Sequence, residues 1–245
     1  MKQFLRNCYL IIINLIYPIK CQICGNTLEY YNLDHVCYEC FNKIKIASGP
    51  FCLKCGIPIS SEKNMFCGEC LTKKYNFQRA WQCCALEGAV QELIYKFKYQ
   101  KKLFLKSVHS KIMYDFIKKH IDIRYIDALV PVPMKRSQIR KRGYNQAMEL
   151  SKSLAKITKL PSYNNCIIKV KNTKQQMKLK KNERINNIKA AFAIKNREPL
   201  KNKNILLIDD VFTTGATTNE CAKTLLSGGA KKVWVLALAR KIQKQ

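Results

Sequence analysis

The sequence predicts an α/β protein: a parallel sheet with helices on both faces, preceded by a small cysteine-rich module held together by metal. Three observations carry this expectation. Four C-x-x-C pairs lie between Cys21 and Cys70. From residue 85 onward, short apolar runs of strand character alternate with amphipathic helical patterns, the order expected of a parallel sheet covered by helices. The last buried run, Ile205-Leu206-Leu207-Ile208, leads directly into two carboxylates and a T-T-G turn.

The cysteines set the first module. Of 13 in the chain, eight make the pairs Cys21/Cys24, Cys37/Cys40, Cys52/Cys55 and Cys67/Cys70. Residues 21–70 have little apolar periodicity, so a segment this small needs a staple in place of a core. Paired C-x-x-C turns without an oxidising compartment read as metal ligands. Gaps of 12, 11 and 11 residues between the pairs are close to zinc-ribbon spacing, and glycines follow Cys24, Cys55 and Cys67, where a knuckle often needs a left-handed residue. Eight thiolates leave no coordination position open for hydrolytic chemistry, so two structural Zn²⁺ ions are expected, with an iron–sulfur cluster as the rival. Two ligand pairings fit. The sequential one (Cys21, Cys24, Cys37, Cys40; then Cys52, Cys55, Cys67, Cys70) is favoured over the interleaved one because shorter loops close at lower entropy cost.

A chain of 245 residues suits one ordinary domain plus a small one. The expected division is an N-terminal amphipathic helix at 1–20, a double zinc ribbon at 21–75 and the α/β domain at 81–245. Within the last, Val90, Leu93, Ile94 and Phe97 recur at helical spacing, as do Val108, Ile112, Met113, Phe116 and Ile117. Residues 126–132 form a short apolar run closed by prolines, read as a strand. Ala147, Leu150, Leu154 and Ala155 mark the following helix. Residues 205–208 are a buried strand by their unbroken β-prone character. A helix is expected over 216–226, stopped by Gly228-Gly229, and a last strand over 233–239.

The chemistry concentrates after residue 208. A buried strand delivers Asp209 and Asp210 at its C-terminal end, where open α/β sheets bind ligands. Two carboxylates there can accept from vicinal hydroxyls and hold part of a Mg²⁺ shell. Thr213, Thr214 and Thr217 add hydroxyls, Gly215 lets backbone approach a ligand, and the helix starting at Ala216 offers N–H groups to a phosphate. Ribose hydroxyls and a 5′-phosphate can thus be read within one turn. The alternative is that the aspartates merely cap a helix. No G-x-x-x-x-G-K-[ST] occurs, so a P-loop is excluded.

This stretch resembles the phosphoribosyl pyrophosphate (PRPP) motif of type I phosphoribosyltransferases. Val130-Pro131-Val132-Pro133, then Arg142-Gly143-Tyr144-Asn145-Gln146, then Gln176 with Leu179, Arg184, Asn187 and Phe192, resemble successive blocks of the ComF competence-protein family. That family also carries a cysteine module and a short apolar leader, so the resemblance spans essentially the whole chain. It implies a type I phosphoribosyltransferase-like sheet that binds PRPP with Mg²⁺. Asp209 and Asp210 would serve ribose and metal, residues 213–217 the 5′-phosphate, and Lys135, Arg136 and Arg142 the pyrophosphate. An active enzyme would displace pyrophosphate from the ribose C1; no acceptor is indicated. Tyr144 stands where the family has Phe. Met177-Lys178 replaces a small residue and Gly, which bears on the flexibility of that loop.

The resemblance also implies a part in DNA uptake and transformation, with other competence proteins as partners. The alternative function is therefore a non-catalytic single-stranded DNA-binding factor that uses the same pocket for nucleotide recognition. Net charge is +29, and residues 81–245 carry 35 basic against 11 acidic side chains, which suits polyanions although a lysine-rich composition alone would give the same balance. Single-strand binding calls for charge combined with stackable rings, and two segments are candidates: the basic, aromatic-interleaved 95–104 and the lysine-rich 169–189. The apolar start, with Lys2 and Arg6, lacks a small-residue cleavage site and is broken by Pro18; it reads as a short helix packing on the body, with a membrane-surface anchor as the alternative, and not as a span. The expected location is the cytoplasm, at or near the inner face of the membrane. His35, His109 and His120 are expected at the surface or in helix packing.

Overall fold

The computed structural model describes residues 18–29, 35–59, 65–170 and 190–241. Residues 1–17 of the expected leader helix and the block residues Gln176, Met177, Lys178, Leu179, Arg184 and Asn187 lie outside them, as does nearly all of the lysine-rich segment; residues 18–20 are not helical, with Lys20 bridged to Thr27. Two short helices, α1 (Tyr38–Asn42) and α2 (Gly68–Thr72), open on Cys37 and Cys67 as N-caps. The elements that follow are β1 (Ala80–Ala85), α3 (Gly88–Tyr99), α4 (Lys106–His120), β2 (Ala128–Pro131), α5 (Arg136–Arg142) and α6 (Gln146–Thr158). Then come β3 (Ile167–Lys169), β4 (Phe192–Ile194), β5 (Asn204–Phe212), α7 (Ala216–Ser227) and β6 (Lys232–Arg240).

The main sheet has the order β1-β6-β5-β2, and every neighbouring pair is parallel. All four C-terminal ends therefore share one edge, with β5 in the interior. Side chains alternate between two cores, as a period of two requires. Leu206 and Ile208 of β5, with Leu236 and Leu238 of β6, pack under α3, α4 and α6. Ile205 and Leu207, with Val233, Val235 and Ala237, pack under Cys221, Ala222 and Leu225 of α7. Helices thus cover both faces, as expected. β3 and β4 form a separate antiparallel pair on the α7 side.

One difference from the expected pattern shapes the site. The buried run 205–208 is only the middle of β5, which continues through both aspartates to Phe212. Its pairing with β2 stops at Pro131↔Ile208, whereas its pairing with β6 runs on to Asp209↔Ala237 and Phe212↔Arg240. The cause lies in Pro131-Val132-Pro133. Proline has no N–H to donate, so only Val132 N still reaches Ile208 O (2.9 Å) before β2 turns away. Asp209 and Asp210 therefore lie beside a notch in the sheet edge.

The cysteine module packs against this body on two sides. Ala47 N donates to Cys83 O (2.7 Å), and Leu28, Val36 and Ile44 join the α3/α4 core. In the second ribbon, Cys55 O accepts from Gln82 Nε2 (3.0 Å) and Arg240 Nη1 (2.8 Å). Gly56 lies so close to β1 that a Cβ would meet Ala80 O at 2.3 Å. Cys83 and Cys84 are small buried side chains of β1, and burial holds the Cys84 thiol up at about 12.

Candidate functional site

The eight paired cysteines gather as two quartets, Cys21/Cys24/Cys37/Cys40 and Cys52/Cys55/Cys67/Cys70, each with all sulfurs within 4.8 Å of one another. The grouping is the sequential one. Zn–S bonds of about 2.3 Å in a tetrahedron place sulfurs about 3.8 Å apart. Cys24 and Cys37 sulfurs are 3.8 Å apart and those of Cys55 and Cys67 3.6 Å, so the donor set fits two structural zinc ions. Backbone N–H groups turn toward the sulfurs: Cys37 N to Cys21 Sγ (3.4 Å) and Cys67 N to Cys52 Sγ (3.4 Å). Burial opposes charge on Cys21, but the N–H groups of Cys24, Cys37 and Ile23 bring its pKa down to about 6. Cys52 is lowered to about 7 against the same burial by Cys55, Cys67 and Lys54.

At the sheet edge the two aspartates meet different layers. Asp210 Oδ2 pairs with Lys98 Nζ of α3 at 2.9 Å. Asp209 lies toward β3 and α7, within electrostatic reach of Lys169 and Cys221. Adjacent strand residues point to opposite faces, which accounts for the split. Burial raises the Asp209 carboxyl to about 8, the neighbouring Asp210 adds to the rise, and Lys98 and the Asp210 N–H (2.9 Å to Oδ1) oppose it. Beyond Phe212 the chain turns through Gly215, whose φ of +75° and contacts exclude a side chain: a Cβ would meet Phe212 Cζ at 2.7 Å. Thr214 is buried, Thr213 and Thr217 are half-buried, and Ala216 N donates to Thr214 Oγ1 (3.4 Å) as α7 begins.

The Arg142-to-Gln146 block folds the chain back toward the notch. Gly143 caps α5 at φ +90°, and Tyr144 Oη donates to Phe97 O (2.6 Å) while its ring packs on Phe97. Asn145 caps α6 through Ala147 N (3.1 Å) and donates to Val132 O (3.0 Å), tying the turn to the departing β2. Gln146 is buried and accepts from Arg142 (3.4 Å). Lys135 and Arg142 both reach Lys169 electrostatically. Burial lowers the Lys169 ammonium, Cys221 and Asp209 oppose, and Lys135 and Arg142 add to the lowering. Lys135, Arg142 and Asp209 are thus all within electrostatic reach of Lys169, whereas Arg136 is exposed on α5.

Three site neighbours were not singled out from the sequence as such. Lys98 stands four residues after Ile94, on the rim of a buried stripe where a cation needs a partner. Lys169 alternates with the exposed Ile168, so it shares the inner face of β3 with Ile167. His109 is buried in α4 near Asp210 and Lys98, and burial drives its pKa down to about 3, so it is a neutral packing residue and not a surface one.

Residues 12–71 match the family model of the double zinc ribbon domain. The chain is 31% identical to competence protein F of Haemophilus influenzae over 91% of this chain and 98% of that protein. The chain belongs to the ComF competence-protein family. Another relative is the DNA utilization protein YhgH of Escherichia coli, 26% identical over 91% of this chain and 97% of its own length. Among solved structures, the glutamine PRPP amidotransferase of Bacillus subtilis is similar over 58% of this chain and 30% of that one, at 14% identity and a TM-score of 0.40. This chain joins a double zinc ribbon to a parallel α/β sheet. Among the described residues no helix is long and apolar enough to cross a membrane.

Proposed function

We propose that the notch binds PRPP or a related phosphoribosyl ligand, and that the protein is a phosphoribosyltransferase-like member of the competence machinery. One observation carries this: the Asp209/Asp210 pair and the glycine turn into α7 stand on one edge of the sheet, with Lys169 within electrostatic reach of Asp209, Lys135 and Arg142. The aspartates would take ribose hydroxyls, backbone N–H groups of residues 213–217 the 5′-phosphate, and the three cations the pyrophosphate. Catalysis of pyrophosphate departure from C1 would rest on position and charge. Asp209 and Asp210 are also the groups to hold Mg²⁺, which would neutralise the pyrophosphate; with one carboxylate paired to Lys98, ligand oxygens must complete the shell.

The experiment is calorimetric titration of Mg²⁺-PRPP into wild type and Asp209→Asn/Asp210→Asn. The exchange preserves volume and removes charge and acceptors. Two lost hydrogen bonds to charged groups predict weakening on the order of a hundredfold. Equal affinities, or no binding to a folded wild type, would refute the reading.

A second reading, single-stranded DNA binding, is favoured by a surface beside the notch. Tyr95 and Tyr99 are exposed, their rings 5.1 Å apart, and Arg142 lies over Tyr99 at 5.2 Å. Paired rings flanked by cations suit stacked bases and their phosphates. The relatives named for competence and DNA utilization agree with such a substrate.

A further inference from the structure

The segment leaving the second cysteine quartet ends on the turn that precedes α7. Lys73, which caps α2 just after Cys70, donates from Nζ to Thr214 O at 3.1 Å. Tyr75 Oη donates to the same carbonyl at 3.5 Å. The Tyr75 ring stacks on Phe77 (4.7 Å), which meets Phe212 edge-on, and Tyr75 Cε1 lies 3.2 Å from where a Cβ of residue 215 would stand. Asn76 donates twice to Asn219 Oδ1 in the first turn of α7, at 2.6 and 3.1 Å. Behind this strap, Lys54 of the Cys52/Cys55 knuckle donates to Phe77 O (2.6 Å), and Ala80 N to Lys54 O (2.8 Å). The strap is thus tied to the quartet at both ends of its own length.

These contacts act on the turn through one peptide unit. In a planar trans peptide the C=O and N–H point in opposite directions. Drawing the Thr214 carbonyl toward Lys73 and Tyr75 therefore turns the Gly215 N–H to the opposite side of the peptide plane. Gly215 at φ +75° leads into α7, whose first N–H, Ala216 N, donates to Thr214 Oγ1 (3.4 Å), so the same peptide sets how the start of the helix would meet an anion.

We infer that Lys73, Tyr75 and Asn76 are positioning residues for the 213–217 turn, so that metal in the second quartet is coupled to the conformation and anion affinity of a turn on another domain. The coupling deepens the phosphoribosyl reading and rests on it only for the identity of the ligand. Metal there would fix Cys67 and Cys70 against Cys52 and Cys55 and so hold the Lys73 end of the strap; without it that end is released, while the Asn76–Asn219 and Lys54–Phe77 ties remain, and the donors to the Thr214 carbonyl lose their fixed position.

The test uses the full chain and two variants. Lys73→Met/Tyr75→Phe removes both donors but keeps their apolar bodies and all cysteines; Cys67→Ser/Cys70→Ser disables the second quartet alone. Amide hydrogen exchange over residues 213–219, without ligand, is the primary readout, with metal content and titration of ribose 5-phosphate beside it. The donor variant should keep both metals, exchange about tenfold faster in the turn and bind about tenfold more weakly, the effect expected from losing hydrogen bonds of this kind. The cysteine variant should retain one metal and show at least the same change. Wild-type exchange in the turn of both variants would overturn the inference. Exchange that follows the strap and the metal, with no binding of ribose 5-phosphate to wild type, would uphold the coupling and refute the ligand reading.

Discussion

Lys98 Nζ stands 2.9 Å from Asp210 Oδ2, with side-chain exposures of 16% and 13%. A helix of one layer thus neutralises a carboxylate on the central strand, and the same ammonium holds down the neighbouring Asp209. Lys98→Met keeps the stem and removes the charge, leaving two adjacent carboxylates in a shielded notch. Urea unfolding should show a loss of about 1.5–3 kcal/mol at pH 9. The loss should shrink at pH 5, where Asp209 is protonated. An equal effect at both pH values would mean that the Lys98–Asp210 pair alone sets the cost and Asp209 takes no part.

Two groups, the half-buried Asp209 and the buried His109, contribute to the pH dependence of the ligand-free protein with opposite signs. Asp209, raised to about 8, binds its proton more tightly folded than unfolded, so its contribution to stability is present at low pH and fades as pH rises through 8. His109, lowered to about 3, does the reverse: its contribution is complete above its unfolded value of 6.5 and fades as pH falls toward 3. Of these two groups only Asp209 still acts above pH 6.5; its term falls between the unfolded value of 3.8 and about 8, so its share of stability should decline up to pH 8 and level off above it. Asp209→Asn should flatten that decline, as thermal unfolding across the range would show. Affinity for Mg²⁺-PRPP should rise over the same interval as the carboxylate ionises.

Metal analysis should find two zinc ions per chain, since two thiolate quartets form among the described residues. Cys21→Ser/Cys24→Ser should remove one ion and leave the other, because each quartet draws all its ligands from sequential pairs. Loss of both ions would contradict the grouping, and iron with visible absorbance would contradict zinc.

Much of this was legible in the sequence because its signals are local. Helix spacing at Val90, Leu93, Ile94 and Phe97 needs no tertiary information, and neither does the buried run ending at Asp209. The grouping of cysteines by sequence proximity also follows from loop length. What was not legible depends on partners distant in the chain. The continuation of β5 through Asp210 to Phe212 is decided by β6, whose pairing outweighs the poor strand propensity of two aspartates. Lys98 and Lys169 look like ordinary members of lysine-rich segments until the fold sets them beside Asp210 and Asp209. The strap from Lys73 to Asn76 is legible only once residue 214 is folded against it.

The exposed rings of α3 give the last prediction. Tyr95 and Tyr99 are one helical turn apart, so both present on one face, 55% and 46% exposed, while Phe97 between them is buried in the core at 0%. A stacked base contributes about 1–3 kcal/mol to single-strand binding, so Tyr95→Ala/Tyr99→Ala should weaken binding of a fluorescent oligothymidylate by at least about tenfold. Phe97→Ala cannot serve as the test, because emptying that core site should cost about 3–5 kcal/mol of stability. Arg142, over Tyr99 at 5.2 Å, supplies charge and not a base contact. Arg142→Gln should therefore reduce the slope of log affinity against log salt, whereas the tyrosine variant should leave that slope intact. Undiminished binding by the tyrosine variant, or affinity indifferent to salt, would remove this face from the nucleic-acid surface.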